Sequence, residues 1–168
     1  MSKNNKKTLV IVESPGKIKK LQSILGSNYI VIASYCHIID LHEKTMSIDL
    51  NTFEPQYKTI SKGKKIQSAS SIVNNIKKLY KECEGQILIA TDDDREGEMI
   101  AWSIEYILNI KNAPRIVFNS ITKESILNAL KNVTTINYDM VNAQKTRRII
   151  DRIVGYKLGP LLHSYYNQ

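Results

Sequence analysis

The chain has 168 residues, 42% hydrophobic and 24% charged, enough apolar content to bury one core with a small appendage and too much for a disordered or fibrous polymer. Its 24 Lys and Arg against 16 Asp and Glu leave a formal charge of +8, so a polyanion such as nucleic acid is the simplest partner. No run nears the roughly 20 apolar residues of a membrane span, the basic start Met1 to Lys7 is no secretory signal, and the separated Cys36 and Cys83 form no Cys-x-x-Cys pair, which points to a soluble, reducing, intracellular setting.

The first apolar run, Thr8 to Glu13, is β-branched and continuous, as a strand buried on both faces requires. It stops at Ser14-Pro15, a helix start, and Ile18, Leu21 and Leu25 follow at helical spacing up to Gly26 as a C-cap. A second strand is predicted at about Tyr29 to Ser34. From there to Lys64 the pattern is weak, with only a short strand near Gln56 to Ile60. Ile66, Val73, Ile76 and Tyr80 mark a second helix with lysines outside, and Gln86 to Thr91 reads as another buried strand running into Asp92-Asp93-Asp94. Ile100, Ile104, Ile107 and Leu108 mark the helix after it. Arg115 to Asn119 reads as a fourth strand, followed by a short helix through Ile126, Leu127 and Leu130. Such alternation predicts an α/β fold, a Rossmann-like sheet of about four parallel strands with helices on both faces. The last segment, Tyr138 to Val154, is a helix with Lys145, Arg148 and Arg152 along one face and Ile149, Ile150, Ile153 and Val154 supplying an apolar side.

Ligands of open parallel sheets gather beyond the carboxyl ends of the strands. Two buried strands here end in acids: Glu13 after the first, and Asp92, Asp93, Asp94 and Glu96 after the central one. Alternation lets Asp92 and Asp94 share a direction that Asp93 does not. Two readings fit such a cluster. It is a solvated turn with N-caps, or it is a cation site, since gathered carboxylates repel one another until a cation offsets them. Oxygen donors with few fixed protein contacts suit Mg²⁺. Lys17 either decorates its helix or meets a phosphate, and Arg147 with Asp151 fits a surface pair. Lys77, Lys78 and Lys81 read as a solvated face and Trp102 as a packing residue.

Five segments carry a family resemblance, in order along nearly the whole chain. Val12-Glu-Ser-Pro-Gly-Lys17 and Thr91-Asp-Asp-Asp-Arg-Glu-Gly-Glu98 resemble the two signatures of the Toprim domain in type IA DNA topoisomerases, the bacterial topoisomerase I branch in particular. Cys36-His-Ile-Ile-Asp-Leu41, Val117 to Lys123 and Asn142 to Tyr156 resemble further segments of that family. The resemblance implies that Glu13 lies beside the scissile phosphate, helps bind Mg²⁺ and passes a proton to the leaving 3′ oxygen. It implies that Asp92, Asp94 and Glu96 form the acidic triad associated with the metal, and that Lys17 stabilises charge on the phosphate. His37 would lie near the bound strand, and Arg147, Arg148 and Arg152 would hold the DNA backbone.

Three positions depart from the family pattern: Cys36 for glycine, Ile39 for arginine and Ser120 for glutamate. None of the nine tyrosines stands in the family's nucleophile context. The expectation is therefore a Toprim domain over 1–135, with 136–168 opening a helical DNA-binding domain, in a monomeric N-terminal part of a longer enzyme. That enzyme would relax DNA through a transient 5′-phosphotyrosine, and this part alone would be inactive. The alternatives are another Toprim enzyme such as a primase or nuclease, a signalling receiver domain, whose order of acids is the reverse, or a non-catalytic DNA-binding module.

Overall fold

The computed structural model describes residues 6–35, 38–59 and 69–166. In chain order the elements are β1 (Thr8–Val12), one tight turn of helix (Pro15–Lys17), α1 (Ile18–Leu25), β2 (Tyr29–Ala33), β3 (Ile39–Leu41), β4 (Tyr57–Thr59), α2 (Ala69–Glu82), β5 (Ile87–Ile89), α3 (Arg95–Leu108), α4 (Lys123–Lys131) and α5 (Tyr138–Tyr166). Among the described residues, β2, β1 and β5 pair in that order, all parallel, and β3 pairs with β4 antiparallel.

The apolar runs of the three parallel strands divide between two layers because strand side chains alternate. Leu9, Ile11, Ile87 and Ile89 pack with Ile72, Val73 and Ile76 of α2 and with Met99, Ile100 and Ile104 of α3. Val10, Val12, Val31, Leu88 and Ala90 pack on the other face with Leu21 of α1 and with Ile126 and Ala129 of α4. Covered on both faces, these strands need successive apolar residues, as Leu9 to Val12, Ile30 to Ala33 and Ile87 to Ile89 supply.

The expected fourth strand shrinks to a single paired residue, Arg115. Arg115 pairs in parallel with Ile89 and antiparallel with Thr134, and pairing goes no further. The cause lies in β5, which leaves the sheet after Ala90 and bends into α3, so residues after Ile116 have no neighbour to bond. Ser14 has the extended backbone of a cap and Pro15 follows it, but the Ser14 side chain makes no capping bond. Gly26 ends α1 at φ 81°, as a C-cap glycine does. The weakly patterned stretch contains β3, unforeseen, and β4 near the expected position. Ile66 lies outside the described residues.

β1 leads to α1 on one face, whereas β5 leads to α3 on the other. Neighbouring strands whose connections part in this way leave a crevice at their carboxyl ends, where ligands of such sheets bind. Glu13 and Asp92 are the residues that stand there.

Candidate active site

Lys17 joins the two acidic strand ends. Its Nζ pairs with Asp92 Oδ1 and lies 4.0 Å from Glu13 Oε1, one helical turn back. Burial raises the Glu13 carboxyl above its ordinary 4.5, the Asp92 charge and a hydrogen bond with Asp92 add to this, Lys17 counteracts it, and the Asp94 charge adds again. Two carboxylates beside a single lysine are under-neutralised. Asp94 does local work: as N-cap of α3, its Oδ1 accepts from Gly97 N–H at 2.7 Å. Asp93 is exposed on the opposite side of the loop, lining a groove with residues of α4.

The loop is held from behind. Arg115, 1% exposed, donates to the Asp92 carbonyl at 2.7 Å and lies 3.4 Å from Glu98, itself 4% exposed. Glu98 also accepts from Asn137 N–H at 3.1 Å, just before α5 begins. Thr91 Oγ1 donates to the Gly97 carbonyl at 2.9 Å. A Cβ on Gly97 would fall 2.9 Å from the Asp92 carbonyl carbon and closer still to its oxygen, so only glycine lets α3 start against this strand end.

The basic face of α5 is turned toward the domain. Lys145 Nζ sits 3.4 Å from the centroid of the Trp102 ring, and burial lowers its pKa. Arg148 bridges Asp40 of β3, at 2.8 Å, and Glu96 of α3, at 3.2 Å. Gln144 Nε2 also donates to Glu96, at 2.7 Å. Arg152 donates to the carbonyls of His42, at 2.5 Å, and Thr45, at 2.7 Å. Arg147 points outward, 3.9 Å from Asp151, in an exposed pair. The expected apolar side is only partly buried, for Ile150 and Val154 are exposed.

Residues 8–121 match the family model of the Toprim domain, the larger part of the chain. The chain belongs to the Toprim domain family. It is 48% identical over 164 residues to DNA topoisomerase 1 of Thermotoga maritima, covering 96% of this chain and 24% of that protein. It is 46% identical over 161 residues to DNA topoisomerase 1 of Campylobacter jejuni, covering 94% and 22%. With a "DNA topoisomerase 1 type prokaryotic" of Acanthamoeba polyphaga mimivirus it shares 45% over 155 residues, 92% of this chain and 17% of the relative. The solved structure of full-length topoisomerase I from Thermotoga maritima superposes with a TM-score of 0.81 at 46% identity, over 92% of this chain and 26% of that one. The Toprim chain thus spans a quarter or less of the curated relatives named here.

Of the residues singled out by sequence, this Toprim domain brings Glu13, Lys17 and Asp92 into one cluster, with Asp94 close enough for its charge to be felt at Glu13. Glu96 turns away toward Arg148, and Arg147 joins neither group. Cys36 and His37 lie outside the described residues. Among the described residues, no three His, Cys, Asp or Glu side chains stand together as a ready cage for an ion. The paired oxygens of Glu13 and Asp92 nonetheless fit Mg²⁺, which binds through one or two carboxylates and keeps its waters. Sequence reasoning missed Arg115, Glu98 and Asp40. A signal was present for the first, since an arginine heading an apolar run must find a buried partner.

Proposed function

We propose that this chain carries the metal- and phosphate-binding half of the strand-cleavage site of a type IA DNA topoisomerase. The Toprim domain would occupy 1–135, and 136–168 would begin the neighbouring DNA-binding domain. The observation that carries the reading is the meeting of Glu13, Lys17 and Asp92 at adjacent strand ends. Glu13 and Asp92, with Asp94, would hold Mg²⁺, which when bound offsets charge at a DNA phosphate. Lys17 supplies a positive charge to the same phosphate. In the metal-free chain burial and Asp92 raise the Glu13 pKa, and the resemblance gives this same carboxyl the proton that reaches a leaving 3′ oxygen. Arg148 and Arg152 would exchange their present carboxylate and carbonyl partners for the DNA backbone, with Arg147 and His37 as further contacts.

The nucleophile would come from outside these 168 residues. Burial pushes Tyr57 up to about 12, and the hydrogen bond to Glu105 pushes Tyr138 up to about 12, the opposite of what an attacking phenolate needs. The 168-residue chain should therefore bind single-stranded DNA weakly and without sequence preference over most of its length, lose that binding steeply with salt, and relax no supercoiled plasmid. Calorimetric titration should detect weak Mg²⁺ binding that disappears in the Glu13→Gln, Asp92→Asn double variant. Unchanged Mg²⁺ binding in that variant, or relaxation by the purified chain, would refute the reading.

A further inference from the structure

Asp93 lines an open groove of about 570 Å³ between the segment Val117–Ser120 and α4. The groove departs from the rest of the molecule in its charge. In a chain of net charge +8, its charged lining among the described residues is Asp93 and Glu124. A phosphate is repelled there. The remaining polar lining includes the amides of Asn119 and Asn128 and the hydroxyl of Ser120, which stands where the resemblance calls for a longer glutamate. Phe118 is half-buried, packed on the core at one side and lining the groove at the other. The volume suits one nucleoside, which is larger than an ion or a few waters and smaller than a stretch of strand.

We propose that this groove receives a single unpaired guanine base. A carboxylate accepts hydrogen bonds and donates none, and guanine is the base whose pairing edge offers two adjacent donors, N1–H and the N2 amino group, to one carboxylate. Its O6 then needs a donor, which the side-chain amides supply, while the ring packs against Phe118. Asp93 is the neighbour of Asp92, so the base would belong to the strand whose phosphate meets Lys17. In that respect the inference rests on the function proposed above. The same chemistry would also accept the base of free guanosine.

Fluorescence anisotropy with a labelled oligothymidylate and with the same oligomer carrying one guanine compares the sources, alongside guanosine titrated into isotopically labelled protein. One guanine should tighten oligomer binding about 10-fold, the scale of a good bidentate base contact. Asp93→Asn should abolish that preference without weakening binding of the all-thymine oligomer. Asn128→Ala, at an exposed site of α4, should weaken it. Guanosine alone should shift the amide signals of Asn119, Ser120 and Asn128. Equal binding of the two oligomers by the parent chain, or a preference that survives both substitutions, overturns the guanine site and leaves the DNA reading standing. Failure of both oligomers to bind, with guanosine still shifting the groove signals, sinks the DNA reading and keeps the groove. Silence from oligomers and guanosine alike sinks both.

Discussion

A methyl group on Gly97 would have to enter the space held by the Asp92 backbone, and backbone cannot swing aside as a side chain can. Gly97→Ala should therefore cost about 1–3 kcal/mol, the usual range for overpacking, measured by urea denaturation. The loss should exceed that of an alanine at exposed Gly155, where an added Cβ meets nothing within 4 Å. Glu13 supplies a second residue-scale test. Its folded-state pKa is raised, chiefly by burial, so the folded chain binds this proton more tightly than the unfolded one. Stability should fall as pH rises from the ordinary value of 4.5 through the raised one, and the cost should persist above that window. In metal-free buffer Glu13→Gln should flatten the fall and leave the variant more stable than its parent at neutral pH. Denaturation at a series of pH values reads both, and an unchanged slope would mean the carboxyl is not strained by its neighbours.

At the scale of elements, α5 shows that a basic stripe legible in the sequence can dock onto its own domain. The spacing of Lys145, Arg148 and Arg152 places them on one side of a helix. That side docks onto Trp102, onto Asp40 and Glu96, and onto the carbonyls of His42 and Thr45, leaving Ile150 and Val154 exposed instead. Nothing in local periodicity could reveal this, because Asp40 and Trp102 are distant in the chain. Arg148 is the central rivet, being mostly buried between two carboxylates on different elements. Arg148→Ala should weaken the docking by about 1–3 kcal/mol, between the worth of an exposed pair and a buried one. Amide hydrogen exchange should quicken in α5 near Gln144 and Arg148 while β1 and β5 keep their protection. Uniform loosening of the sheet would show that α5 is no separable element.

For the molecule as a whole, what was legible was whatever local pattern dictates. The continuous apolar runs at Thr8–Val12 and Ile87–Ile89 declared strands covered on both faces, and acids just beyond each run marked where a site could form. The sequence overstated the sheet because Ile116 to Phe118 have strand-like side chains, whereas strand pairing needs a neighbour, and β5 has already turned away. The contacts of the acidic run are divided as well. Asp94 is occupied by the first turn of α3 and Glu96 by α5, divisions that depend on backbone direction after β5 and on a helix almost fifty positions later.

The order β2-β1-β5 also sets a timetable. Val10 pairs with Val31, reached after one short helix, and with Leu88, reached only after β3, β4 and α2 have been made. Local contacts form quickly, and distant parallel pairing must first meet the entropy of closing a long loop. The strand carrying Glu13 and the helical turn carrying Lys17 can thus fold early with β2, as a lysine and a glutamate one turn apart with little to hold. Asp92 arrives with the last strand of the sheet. The proposed cation site would therefore be completed at the end of folding, which would make its occupancy a sensor of the completed domain that no early intermediate can imitate.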